Sequence, residues 1–278
     1  VTAVAAGTLT RVNDGAVTYS GLVSGAGTFV KDGAGVATLS VANPNFTGDF
    51  IINAGTLRFD VATPFKDATG TLTVRDGATL DVGSPTLSDQ AMNIGSARKI
   101  IVSGSGVDGK GAIINSSSKS QYNALVSCQL AGDTVFGGTN TNARWDFRNT
   151  YTPATFEMNG HTIDKVGSNM VCLTGITLTE GGTAKINVRE GTWSSEVATT
   201  YSGGSANTLD VYSGAIFDLY SLYSPFTWTL KLRDGATYNT RNGSSDQNVL
   251  VGPVILENGT AKASINYPST IKGVISGD

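Results

Sequence analysis

Apolar and polar residues alternate over short runs along most of the chain, as in Leu72, Val74, Leu80 and Val82 set against Thr73, Arg75, Thr79 and Asp81. A period of two is the mark of a β-strand with one buried face. Between such runs stands a recurring glycine: VNDGAV at Gly15, VKDGAG at Gly33, IINAGTL at Gly55, VRDGATL at Gly77, VREGTW at Gly191, VYSGAIF at Gly214, LRDGATY at Gly235 and LENGTA at Gly259. A glycine there supplies the positive φ of a tight corner, so each repeat reads as strand, corner, strand. The glycines step by 18, 22 and 22 residues, then by 23, 21 and 24 after a weaker middle. A period near 22 predicts stacked repeats.

Two folds place short strands at this spacing, an antiparallel sandwich and a parallel solenoid. Sandwich hairpins differ in length and would not hold eight glycines in near-constant register, whereas solenoid coils must superimpose. The chain is therefore read as all-β, a right-handed parallel β-helix of about 22 residues per coil, the hand being the default for parallel crossovers. About twelve coils at roughly 4.8 Å each would make a rod on the order of 60 Å long. Residues 1–278 form one domain in this reading. The coils of about residues 84–175 lose the phrase, but Gly138, Gly160 and Gly181 step by 22 and 21 and suggest an unchanged coil length. Residues 62–68, with Pro64, and 116–123 are expected to be outward loops.

Composition agrees with this architecture. Only 15% of the 278 residues are charged, the formal net charge is −3, and there are 35 glycines. Such a chain lacks the basic footprint of a nucleic-acid binder. No apolar run nears the roughly 18 residues that cross a bilayer, so no transmembrane segment is expected. The start at Val1-Thr2-Ala3 is read as either a processed leader or a fragment boundary. Cys128 and Cys172 lie 44 residues apart, two periods, so stacked in one column they would sit about 9.6 Å apart, beyond disulfide reach. They are read as buried thiols, with a disulfide open if the middle coils are irregular.

The segment Tyr19–Phe59 resembles the autotransporter-associated β-strand repeat, through Gly21, Ser24, Gly25, Gly27, Lys31, Gly33, Gly35, Thr38, Leu39, Ser40, Asn43, Gly48, Gly55, Thr56 and Leu57. It departs from that pattern at Val36-Ala37 and Pro44, and elsewhere only the general coil type persists. The resemblance implies a β-helix in the passenger stalk of a secreted or cell-surface bacterial protein, with no catalytic residues. The C-terminal membrane barrel of such proteins does not occur in these 278 residues.

The last residues, IKGVISGD from Ile271, repeat YSGLVSGA from Tyr19 at an offset of 252. The chain thus starts a further unit at 271–278. This suggests either a tandem array of such repeats in one polypeptide or end-to-end self-association, because uncapped coils expose strand edges.

The chemistry sought is sparse. His161, the single histidine, follows the Asn159-Gly160 corner and is read as a turn residue, since triads and zinc sites need more partners. Arg58, Asp60, Asp81, Asp210 and Asp218 are expected to point outward as isolated residues, opposite the inward Leu57, Phe59 and Val61. Isolated acids do not make the carboxylate pair or oxygen cage that glycan cleavage or calcium requires. Arg75, Arg189 and Arg233 precede acids at equivalent corners and are read as solvated ion pairs rather than a stripe for anionic glycans. GSGVDGKG, Gly104–Gly111, is read as a corner, not a phosphate loop. The aromatic run Tyr220–Trp228, with Trp193 and Tyr201, is either core wedges closing an end of the rod or an exposed sugar- or protein-binding face.

No residue is assigned a catalytic, cofactor or metal role. The expected function is a non-enzymatic extracellular stalk or adhesin-type passenger segment, partnered by itself, by further repeats, or by a surface glycan or protein ligand. The alternatives are a self-assembling filament or sheath subunit and, on the same fold, a polysaccharide lyase or hydrolase.

Overall fold

The computed structural model describes residues 2–66, 68–89, 91–95, 97–148, 154–257 and 259–277. It is a parallel β-solenoid of about 12 turns with roughly 23 residues per turn. Every strand pairing among the described residues is parallel, and the largest sheet has 20 strands. Seven of the eight phrase glycines have positive φ, Gly77 at 78° and Gly235 at 74° among them; Gly15 does not.

Identical positions of successive coils stack into inward columns. One runs Phe29, Phe50, Leu72, Ile100, Cys128, Phe156, Leu178, Tyr201. A second runs Ala37, Leu57, Leu80, Ile113, Phe136, Lys165, Val188, Val211, Leu232, Leu256. All but Leu256 at the C-terminal end are buried, so each coil covers the apolar interior of the one before it.

The third face changes character along the rod. In the first half, loops occupy it, threaded by backbone bonds from Asn43 to the Pro64 carbonyl (2.6 Å) and from Asn93 to Ala62 (2.7 Å). From Gln121 to Ile265 it becomes a regular seven-stranded sheet, built on the inward column Trp145, Val171, Trp193, Phe217, Tyr238. The change falls at the long strand Ser127–Gly138, which pairs with Lys99–Gly104 at one end and with Ile113–Asn115 at the other.

The middle coils depart from the expected length. Leu72 to Ile100, Ile100 to Cys128 and Cys128 to Phe156 are each 28 residues, and Leu80 to Ile113 is 33. Gly138 accordingly stacks on Gly167, whose added Cβ would lie 2.2 Å from the Gly138 carbonyl oxygen, and not on Gly160. The expected outward loop at 62–68, of which Asp67 lies outside the described residues, sends Pro64, Phe65 and Ala68 inward: Phe65 is fully buried, against Phe50 and Phe59 at 5.9 and 5.4 Å, because loops on this face must fill the core that strands fill elsewhere, while Thr63 and Lys66 are exposed. Ser116, Ser118 and Lys119 are exposed as expected, but Gln121 already starts a strand.

Three buried cations satisfy corner carbonyls that the ladders leave over. Lys31 Nζ donates to the carbonyls of Gly33, Gly35 and Ala54 at 2.6–2.8 Å. Lys165 Nζ does the same to Val166, Gly167 and Glu190 at 2.7–3.0 Å. The Arg98 guanidinium donates to Phe46, Gly48, Thr69 and Thr71 at 2.7–2.9 Å and lies 4.1 Å from the Phe65 ring centre. Burial lowers all three, Arg98 to about 10 and Lys165 to about 7.

Candidate functional site: arginine-covered acids on the outer faces

Among the described residues, the outer face of the seven-stranded sheet gathers a dense set of titratable groups. Arg144 and Asp146 lie in one strand, Met170, Cys172 and Thr174 in the next, then Ser194 and Glu196, then Asp218 and Tyr220, then Asn239 and Arg241. The register sets Asp146, Cys172, Ser194, Asp218 and Asn239 in one column and Thr174, Glu196 and Tyr220 in the next. These alternate with core residues and so leave the interior.

The acids among them do not reach solvent. Asp146 and Asp218 are fully buried and Glu196 is 4% exposed, because arginines fold down over them. Arg144 holds Asp146 through Nε at 2.7 Å and Glu196 through both terminal nitrogens at 2.9 and 3.0 Å. Arg148 adds a bond to Asp146 at 2.9 Å. Arg241 bridges Glu196 and Asp218, 2.7 Å to each, and Asp218 also accepts from Ser194 Oγ (2.7 Å) and Asn239 (2.6 Å). Tyr122 lies 4.7 Å from Arg144 and Tyr220 lies 5.1 Å from Arg241, ring centre to guanidinium carbon.

Three acids face three arginines, so the cluster is neutral. Burial pushes Asp146 and Asp218 above the usual carboxylate range despite their arginines. For Glu196 burial acts the same way, but Arg144 and Arg241 together outweigh it and hold the carboxyl low. Ligand atoms of Asp146, Cys172 and Glu196 lie within 4.8 Å of one another. A cation there would compete with Arg144, which already takes both carboxylates, and the Cys172 thiol is pushed well up by burial and Asp146.

The same device recurs on the other faces, and it corrects the expectation of exposed, isolated acids. Asp81 is fully buried, bonded to Arg58 at 2.8 Å and Ser116 Oγ at 2.6 Å. Asp210, 1% exposed, accepts from Nε and one terminal nitrogen of Arg233, 2.9 Å each. Arg233 also reaches Glu257 at 3.0 Å, and Tyr212 is sandwiched between Arg189 (4.7 Å) and Arg233 (4.2 Å). Arg233 stays one third exposed and pairs along the stack as expected, but its partner Asp210 is buried beneath it, whereas Arg75 keeps only an exposed bond to Asn53. Arg58 and Asp60 are half-buried; Asp60 accepts from Ser84 and Thr86. Leu57 and Phe59 are inward as expected, but Val61 is only half-buried.

The remaining candidates fall into place singly. His161 follows a left-handed Asn159-Gly160 corner with its Nδ1 3.7 Å from Asp133. Cys128 and Cys172 are free and occupy different columns, Cys128 in the apolar core and Cys172 under the arginines. Gly104–Gly111 is a corner, tightened by a single 3-10 turn at Val107–Gly109. Trp193, Tyr201, Phe226 and Trp228 are core, stacked within the rod and not closing its end, while Tyr223 is exposed. A shallow groove of about 410 Å³ brings Asp76, Asp133, Asp164, Asn187 and Arg189 onto one outer face; Arg189 holds Asp164 at 3.0 Å.

The class these features define is a parallel β-solenoid in which Asp81, Asp210 and Asp218 are each neutralised by an arginine one coil away. No family model, no curated protein and no solved structure matches the chain.

Proposed function

We propose that this chain is a structural spacer, a rigid stalk or adhesin-type passenger segment of a secreted bacterial surface protein, and that it carries out no catalysis. One observation carries the reading. Asp81, Asp210 and Asp218, which leave the core where a β-helix enzyme would place working carboxylates, are each covered by an arginine 23 residues away, the length of a coil. Their charge is spent joining one coil to its neighbour. The repeat resemblance of Tyr19–Phe59 supports the surface location and the passenger role.

The groove containing Asp133 and Asp164 favours the second reading, a glycan-cleaving β-helix, because two acids there lie on adjacent coils. A product-release assay over neutral and uronate polysaccharides, with and without calcium, separates the two. The stalk reading expects no product. Product formation abolished by Asp133→Asn would replace it with the enzyme.

A further inference from the structure

The recurrence at an offset of 252 residues extends to a whole coil and to its hydrogen bonds. Residues 2–25 and 254–277 share Gly7/Gly259, Thr8/Thr260, Thr18/Thr270, Gly21/Gly273, Ser24/Ser276 and Gly25/Gly277. In the first coil Thr2 pairs with Val23 and Ala3 with Ser24; in the last, Val254 pairs with Ile275 and Ile255 with Ser276, each residue displaced by 252. The Thr2 amide donates to the Leu22 carbonyl at 2.6 Å, and the Val254 amide donates to the Val274 carbonyl at 2.9 Å, again 252 on. Gly7 and Gly259 both turn the chain with positive φ, 80° and 128°. Gly25 faces the carbonyl of Val4 as Gly277 faces that of Leu256. The last coil is built as the first but turned by one face: Thr8–Val12 heads the column of Phe29, whereas its counterpart Lys262–Ile265 ends the column of Tyr238.

What the first coil carries on its far side is visible: residues 26–46, with Phe29 stacked on Leu9 and Leu39 on Tyr19. The positions equivalent to Leu9 and Tyr19 on the last coil are Ala261 and Ile271. Both line an apolar cavity of about 190 Å³, with Leu256 and Ile275. Alanine in place of leucine leaves room for an aromatic ring. The strand Lys262–Ile265 is exposed throughout, and Ile265, Val274 and Ile275 are 50%, 75% and 56% exposed. Proteins blunt free strand edges with charge, proline or bulges, and an apolar edge such as Ile275–Gly277 is a template for another strand.

We infer that 252 residues are one sequence period, which turns the coil by one face, and that the face beyond residue 277 is the acceptor for a second copy of this unit, entering through its residues 26–46. Phe29 of the entering copy seats over Ala261 and Leu39 over Ile271. This rests on the coil geometry alone and is independent of the stalk reading.

The test is a tandem protein in which residue 277 is followed directly by residues 26–278, compared with the single chain and with a joint whose second part begins at residue 37. In phase, the amides of Lys262–Ile265 and Ile275–Gly277 become protected from hydrogen exchange. The protein then melts in one transition no lower than the single chain, and scattering shows one straight rod lengthened by roughly 50 Å, about eleven turns. Exchange at these amides as fast as in the single chain, or a bend at the joint, overturns the inference. So does an out-of-phase joint that protects them equally.

Discussion

Lys31 lies directly beneath Gly55: a Cβ on Gly55 would come within 2.5 Å of the Lys31 Nζ, and as close to the Gly33 and Gly35 carbonyl oxygens that this ammonium binds. Lys165 and Gly191 repeat the arrangement at 2.9 Å. The spacing of lysine and glycines in the first repeat is therefore a corner in which a buried cation collects carbonyls and the next coil leaves it room.

The phrase glycines should consequently not behave alike. Gly55→Ala and Gly191→Ala meet backbone oxygens at positive φ and are expected to cost about 1 kcal/mol or more. Gly15 has no atom within 4 Å of its Cβ position and no positive φ, so Gly15→Ala is expected to be neutral or stabilising by a few tenths of a kcal/mol. Denaturant midpoints of the three variants check this; equal losses would contradict it.

Removing the buried cation should be costlier than removing a surface one. Lys31→Met leaves three corner carbonyls without a donor and is expected to cost about 2 kcal/mol, whereas Lys119→Met, on an exposed turn, should change stability by under about 0.5 kcal/mol.

The arginine-covered acids predict a pH signature. Glu196 is held low in the folded chain, so its contribution is present above the unfolded carboxyl range and lost as pH falls through the lower folded value. Asp146 and Asp218 are raised, so protonation on acidification favours the folded state and opposes that loss. In Glu196→Gln the denaturant midpoint should drop by the equivalent of about 3 kcal/mol at neutral pH, and the difference from the parent should shrink below about pH 4. A difference constant with pH would show that Glu196 is not held by charge.

The two thiols should be distinguishable. Burial pushes both up, so neither should alkylate in the folded protein at neutral pH. Arg144→Ala uncovers the cluster around Cys172 and leaves the core column of Cys128 intact. Mass spectrometry should then find label on Cys172 first, and labelling of Cys128 first would contradict the column assignment.

Much of this was legible in the chain, and the gaps have physical causes. Alternation located the strands, and Gly33, Gly55, Gly77, Gly191, Gly214, Gly235 and Gly259 marked true left-handed corners. Alternation says which way a side chain leaves the backbone but not what covers it, which is why Asp81, Asp210 and Asp218 read as exposed. The missing signal lay at longer range: Arg58 and Asp81, Asp210 and Arg233, Asp218 and Arg241 are opposite charges 23 residues apart. Arg144 and Glu196, 52 residues apart, had no such signature. The 28-residue middle coils were hidden because Gly160 and Gly181 do stack, while Gly138 belongs to another column.

The proposed spacer role requires that coil stacking hold the two ends of the chain at a fixed distance. Spin labels at Thr10→Cys and Ser264→Cys, both exposed and near opposite ends, read it directly, since the native thiols are buried. Pulsed electron resonance should give one narrow distance distribution centred at roughly 50 Å, about eleven turns. A broad distribution, or one centred well below that distance, would contradict the account.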